Sequence, residues 1–226
     1  MLLFSIIIPT LNESESIEHT LEALTSVLDK QHEIIIVDGG STDDTVIKAS
    51  RYTNKIYYSG KGRALQMNEG ARHASHSFLV FLHADTLVPD NFPNEITKSF
   101  NHRSGQWGFF KVKLSNADFM LSVISFFMNL RSCLTKIATG DQVFVVSKDL
   151  YRKINGFKTI PLMEDIEFSK SLKKICKPIC FKSTVITSSR KWKQQGIIKT
   201  VFLMWKIRLL YFFGIPATKL VSMYYK

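Results

Sequence analysis

Cysteine is scarce, with three in 226 residues, and an odd number in a chain this long makes no disulfide framework. Cys176 and Cys180 form a C-x-x-x-C with no second pair and no neighbouring histidines. The expectation is three reduced, structural thiols and no zinc site. His73, His83 and the other histidines lack metal-ligand spacing as well. Three glycine signatures are missing: the Gly-x-x-x-x-Gly-Lys-Ser phosphate loop, the Gly-x-Gly-x-x-Gly fingerprint and the Gly-x-Ser-x-Gly elbow. Their absence argues against P-loop, dinucleotide and α/β-hydrolase enzymes. Long apolar runs are also wanting. Phe119 to Leu130 is too short to span a bilayer, and Thr200 to Pro216 is broken by Lys206 and Arg208. Met1 to Pro9 has no basic flank and reads as a buried strand rather than a signal peptide, so a cytoplasmic location is expected. With no linker, repeat or low-complexity segment, residues 1–226 read as one domain, with a regular first part at 1–86 and a looser second part at 87–226.

The composition is that of a globular chain, 45% hydrophobic and 22% charged, with a net charge of +11. Such a balance favours anionic partners: nucleotide phosphates, nucleic acid or an acidic membrane face. Short apolar runs alternate with helical patterns along the first half. Phe4 to Pro9, Glu33 to Val37, Lys55 to Tyr58 and Ser77 to Leu82 have strand length and composition. Ile17, Leu21, Leu24 and Leu28 recur at helical spacing after Asn12 and Glu15, which look like a capping box. Ser41 and Asp44 repeat that signature. Apolar strands separated by helices predict an α/β fold with a mainly parallel sheet covered on both faces. Further on, strands are expected at Phe109 to Leu114, Gln142 to Ser147 and Cys180 to Thr187. Helices are expected at Phe119 to Ile137, Lys148 to Ile154, Glu164 to Lys174 and Ile197 to Phe213.

In open α/β sheets ligands bind beyond the carboxyl ends of the strands, so the residues following each strand are candidates. Asp38 follows the second strand and precedes Gly39, Gly40 and Ser41. It can accept hydrogen bonds from a base or ribose, or merely close a turn. Asp85, in His83-Ala84-Asp85-Thr86, suits a divalent cation bridging a diphosphate, which needs only one or two carboxylates. It also suits a plain turn before Pro89. Glu164 and Asp165 open a helix, where the macrodipole stabilises acids regardless of function; a carboxylate there can equally deprotonate a hydroxyl. Asp141 is a third acidic candidate. Lys61 and Arg63 around Gly62, and Arg190, Lys191 and Lys193 around Trp192, are the cations placed to neutralise a leaving diphosphate.

Taken in order, these segments resemble the family-two glycosyltransferases of the GT-A fold. The matching pieces are SIIIPTLNE (Ser5 to Glu13), IIIVDGGSTDDT (Ile34 to Thr45), GRALQMNEGA (Gly62 to Ala71) and FLHADT (Phe81 to Thr86). They continue with TGDQ (Thr139 to Gln142), NGF (Asn155 to Phe157) and PLMEDIEFS (Pro161 to Ser169). The set looks closest to a short bacterial branch with His-Ala-Asp at the metal motif and Ser-Arg-Arg-Trp-like residues in the tail. The resemblance implies a nucleoside-diphosphate sugar donor held by Pro9, Leu11, Glu13, Asp38, Gly39, Ser41, Gly62, Arg63, Asn68, Ala84 and Asp85. Arg190 and Trp192 would close over it. It implies manganese or magnesium on Asp85, the last acid of the family's Asp-x-Asp motif, whose first position is His83 here. Asp165 matches the general base of inverting members, with Glu164 as its fallback.

The implied chemistry is a single displacement at the anomeric carbon, with water kept from the donor sugar. Val201, Trp205, Leu209 and Phe212 share one face of the last helix, near Lys199, Lys206 and Arg208. That pattern suits interfacial binding and a lipid-linked acceptor, with association at the inner membrane face. The ordinary alternative is that this helix and Phe119 to Leu130 pack on the sheet. No nucleic-acid partner is expected, because the aromatic and basic residues from Arg190 to Lys193 are too few for a binding surface. The competing functions are a nucleotidyltransferase and a catalytically silent nucleotide-sugar binder.

Overall fold

The computed structural model describes residues 2–100, 105–116 and 118–224. Its strands are β1 (Phe4–Thr10), β2 (Glu33–Asp38), β3 (Ile56–Tyr58), β4 (Phe78–Phe81), β5 (Thr86–Leu87), β6 (Trp107–Leu114), β7 (Phe144–Ser147) and β8 (Ile179–Thr187). They form one sheet in the order β3-β2-β1-β4-β7-β6-β8-β5. Pairing is parallel from β3 through β4 and again between β6 and β8. It is antiparallel where β7 meets β4 and β6, and where β5 meets β8. The helices are α1 (Ile17–Val27), α2 (Thr45–Ala49), α3 (Arg63–His73), α4 (Phe92–Ser99), α5 (Phe119–Thr135), α6 (Lys148–Lys153), α7 (Glu164–Lys173), α8 (Arg190–Gln195), α9 (Ile197–Phe212) and α10 (Ala217–Tyr224).

The β1 and β2 strands are buried almost throughout, as continuous apolar runs in a covered parallel sheet require. One core layer joins Ile6, Ile8, Leu21, Leu24, Phe92, Phe110 and Phe181. The other joins Ile7, Val37, Met67, Phe81, Phe144, Phe157 and Phe168. Pro9 is tolerated in the central β1 for a specific reason. Leu82 N donates to Ile7 O, so Pro9, two residues on, faces the same side, where β4 has already ended.

Several local expectations are corrected. Neither proposed capping box forms. Asn12 takes a left-handed φ of 54° and accepts from Thr42 N, and Glu15 turns to Arg190, so α1 starts only after Ser16. Ser41 is drawn to Asp38, and α2 starts at Thr45. Half of such a box occurs around the short 3-10 turn Gly140–Gln142, where Thr139 N donates to Gln142 Oε1 at 3.2 Å. The brief β5 and the helices α3, α4, α8 and α10 are additional. The cysteines are not all reduced: Cys133 on α5 and Cys180 on β8 form a disulfide with a Cα separation of 6.0 Å, and Cys176 alone stays free. Spacing could not reveal a pair 47 residues apart that meets only because α5 crosses the sheet beside β8.

The α5 helix has inverted polarity. Asn129 Oδ1 accepts from Val112 N and its Nδ2 donates to Val112 O, both at 2.8 Å, while Ser125 Oγ accepts from Leu114 N at 3.0 Å. These side chains serve the edge of β6 beyond Phe109, where β7 no longer pairs. The helix therefore turns polar groups to the sheet and leaves Phe119, Val123, Phe126, Phe127, Leu130 and Leu134 exposed. The packing on the sheet expected from the apolar stripes thus holds for one face of α5, whereas the inner face of α9 packs on Met163 and Ile166 at α7 and on Leu220 of α10. Among the described residues no helix is long and apolar enough to cross a membrane.

Candidate active site

The carboxyl ends of β1, β2 and β4 open at one end of the sheet, and the candidate residues gather there. Asp38, buried at the end of β2, is the hub of a cradle. Its Oδ2 accepts from Gly40 N at 2.9 Å and Ser41 N at 2.8 Å; its Oδ1 accepts from Ser41 Oγ at 2.5 Å and Thr10 Oγ1 at 3.1 Å. The turn-closing role is therefore realised, and Gly40, at φ 96°, needs the freedom of glycine to make it. Beside the cradle, Asn12 N donates to Ser41 Oγ and Glu13 N to Thr45 Oγ1, fixing the loop that carries Leu11 and Glu13.

The second cluster lies where β4 and α7 converge. His83 Nδ1 stands 3.3 Å from Asp141 Oδ1. Asp165 Oδ2 accepts from Gly140 N at 3.0 Å and Oδ1 from Ile166 N at 2.7 Å. Gly140 is required by proximity, since a Cβ there would sit 2.5 Å from His83 Nε2. Burial pushes the Asp165 carboxyl up to about 6, helped by the neighbouring Glu164 and Asp141 and opposed by the two N–H groups. Burial also raises Asp85; the charges of Asp141 and Glu13 add to this, and His83 and Arg63 oppose it. Asp85, Asp141 and Asp165 thus share one electrostatic neighbourhood, with Glu13 and Arg63 at its border.

The chain after β8 closes the other side. Ser188 N donates to Asp85 O at 3.2 Å. Two residues on, Arg190 binds Glu15 at 2.9 Å and Glu13 at 3.2 Å. Trp192 is half-buried on α8; the side chains of Lys191 and Lys193 lie outside the described residues. Gly62, at φ 143°, precedes α3 and sets Arg63 on its first turn, next to the exposed Lys61. Asn68 stands apart. Its amide is occupied by Phe157 N and O and by Tyr151 OH, so it braces α3 against the Asn155 to Phe157 turn. Ala84 is held through its carbonyl by Thr20 Oγ1, and Gly39 is packed against Gln66.

Two residues escaped the sequence reading. Gln66 Nε2 donates to Thr10 O and Val37 O, locking α3 beneath the Asp38 cradle. Arg131 on α5 lies near Asp141 and Asp165, whose charges oppose the lowering of its pKa by burial. Its Nη2 donates to Ser132 Oγ at 2.9 Å, while its Nε is buried with no partner. Its standing as the single charged residue of α5 was the available signal.

The carboxylate of Asp85 bears on a metal. Among the described residues no group of three His, Cys, Asp or Glu side chains forms a ready cation cage. A buried carboxylate facing Asp141 and Glu13 nevertheless fits a magnesium- or manganese-type ion whose remaining ligands are substrate phosphates and water.

Comparison with known proteins adds independent findings. Residues 5–118 match the model described as Glycosyl transferase family 2. Poly-beta-1,6-N-acetyl-D-glucosamine synthase of Staphylococcus aureus is 33% identical over 97 residues, covering 40% of this chain and 24% of that protein. The Staphylococcus epidermidis enzyme of that name is 24% identical over 216 residues, covering 84% and 52%. The chain thus spans between a quarter and a half of these curated relatives. Staphylococcus aureus TarS, solved also with UDP-GlcNAc, superposes with a TM-score of 0.63 at 19% identity over 83% of this chain and, without ligand, 61% of that chain. The mannosyltransferase PcManGT of Pyrobaculum calidifontis, in complex with GDP-Man and Mn2+, gives 0.64 at 19% identity, covering 91% and 60%. At such identities the likeness shows a common fold.

Proposed function

The chain belongs to glycosyl transferase family 2 and has the GT-A fold, and from that premise we propose that it transfers a sugar from a nucleoside-diphosphate sugar to an acceptor hydroxyl with inversion at the anomeric carbon. The observation that supports this most is the gathering of Asp85, Asp141 and Asp165 beyond the strand ends, with Asp165 tuned to about 6. A base of that pKa is ionised at neutral pH yet basic enough to take a hydroxyl proton.

In this reading Asp38 and the Pro9, Leu11, Glu13, Gly39 and Ser41 loops receive the base and ribose. Gly62, Arg63, Ala84 and Arg190 border the diphosphate, and Trp192 closes over it. Asp165 accepts the acceptor's proton at a carboxylate oxygen while Gly140 N and Ile166 N hold its plane. Glu164, buried beside it, raises its basicity through like charge. Asp85 would hold magnesium or manganese, which when bound neutralises charge on the leaving diphosphate. His83, in place of a second acid, leans on Asp141 and leaves Asp85 as the carboxylate nearest that role. The Arg190 pairs with Glu13 and Glu15 draw α8 over the donor loop, which excludes water from the sugar. Residues 1–86 act as the donor half and 87–226 as the acceptor half. The acceptor is a hydroxyl on a hydrophobic or lipid-linked carrier, met at the cytoplasmic face of the membrane.

The test is incubation of the purified protein with labelled UDP- and GDP-sugars and manganese. Release of nucleoside diphosphate, lost on Asp165→Asn, supports the reading. Tight donor binding without turnover under every acceptor tried would make it a silent binder.

A further inference from the structure

The α9 helix is apolar on two sides. Its inner stripe, Thr200, Leu203, Ile207, Leu210 and Tyr211, packs with Met163, Ile166 and Leu220. Its outer stripe, Ile198, Phe202, Trp205, Leu209 and Phe212, follows the same helical period and faces outward, with Phe202 71% and Trp205 73% exposed. The α5 helix presents a second such stripe, led by Phe119 at 83% and Phe126 at 61%. Scattered apolar side chains on a surface are ordinary; two periodic rows on neighbouring elements are not. Ile137, two residues beyond the end of α5, packs into the cluster under α9 that also holds Met163 and Ile166, so the carboxyl end of α5 comes close to α9 and to α7, which carries Asp165.

Charge selects the occupant. No Asp or Glu follows Glu167, whereas thirteen Lys and Arg do, so the first 167 residues are close to neutral and the surplus sits in the tail. Lys199 and Lys206 are exposed on α9 next to the outer stripe, and Lys219 is exposed on α10. Neither α5 nor α9 contains an acidic residue. The α9 row, bordered by cations of one sign, matches hydrocarbon beneath anionic headgroups, whereas a second copy of the chain would set these cations against each other; the α5 row starts beside the exposed Asp118 and contributes through its apolar side chains alone.

We propose that the exposed faces of α5 and α9 are a docking surface for an anionic lipid bilayer, which sets the Asp165 end of the crevice at the headgroup level. This deepens the lipid-linked acceptor reading given above and rests on it for its purpose, although the docking itself is independent of catalysis.

The experiment is flotation of the full chain with vesicles of phosphatidylcholine alone or with a third phosphatidylglycerol, at low and high salt. Two variants accompany it, Phe202→Glu/Trp205→Glu and Phe119→Glu/Phe126→Glu, each checked for an unchanged melting temperature. The expected result is binding to the anionic vesicles that falls at least tenfold with high salt and at least tenfold in each variant. Failure of the wild-type chain to float, or flotation unaltered in both folded variants, overturns the proposal. So does a wild-type dimer in sedimentation that either variant dissolves, because the stripe would then cover a second copy. Nucleoside diphosphate release is read in parallel: flotation without release retains the docking surface and refutes the reaction, and release without flotation does the reverse.

Discussion

Replacing Asp165 by Asn should move activity and stability in opposite directions. The carboxyl titrates at 3.8 in the unfolded chain and at about 6 in the fold, so the folded state binds the proton more tightly. Stability therefore falls as pH rises from about 4 through 6, and the loss is complete above that range. A rise of this size corresponds to about 3 kcal/mol if fully shielded, and to about 1–2 kcal/mol once the partial exposure of the side chain is counted. Asn mimics the protonated form, including its reduced capacity to accept from both Gly140 N and Ile166 N. Denaturant melts of both proteins from pH 4 to 8 should thus converge at the acid end. At pH 7.5 the variant should gain about 1–2 kcal/mol relative to its acid-end difference from wild type. Its turnover should drop by about 10²–10⁴, the usual contribution of a general base, and the wild-type rate should decline below about pH 6. A stability difference that does not vary with pH would refute the argument that burial raises Asp165. Retained turnover would refute its role as base.

The other expectations are briefer. Asp85→Asn should remove the manganese dependence of UDP or GDP binding measured by calorimetry, weakening it at least tenfold, and leave metal-free binding unchanged. Arg190→Ala, which frees Glu13 and Glu15, should raise KM for the donor and increase wasteful hydrolysis, read as free sugar released without acceptor. Glu33 is buried, which opposes its charge, but Lys55, Ser5 and Ser75 outweigh this and hold it at about 2 against 4.5 unfolded. Its contribution, about 2–3 kcal/mol, is complete above pH 4.5 and fades as pH falls towards 2, so Glu33→Gln should flatten acid unfolding in that window. Alkylation of the unfolded, unreduced chain should modify Cys176 alone, with Cys133 and Cys180 labelled only after reduction.

The parallel strands were legible because each is a short β-branched run bounded by turn residues, and the strand-end rule then pointed to Asp38 and Asp85. Asp165 stood out only through the resemblance, since an acid at a helix start has a sufficient local explanation. The capping boxes misled because Asn12, Glu15 and Ser41 satisfy the spacing but find stronger partners on segments far away in the chain. Long-range pairings of that kind, the Cys133–Cys180 bridge and the reach of Arg190 across to Glu13 among them, leave no periodic trace. Gln66 and Arg131 were missed for the same reason: one lies within a helix, the other within an apolar run, and only tertiary proximity gives each its task.

The inverted α5 helix has a consequence for its surroundings. Most surface helices adhere to their sheet through greasy contact, which a hydrocarbon medium would weaken. This one is riveted to β6 by the Asn129 and Ser125 hydrogen bonds, and such bonds strengthen as water thins out. The closer the helix sits to oil, the more firmly it should grip the sheet behind it.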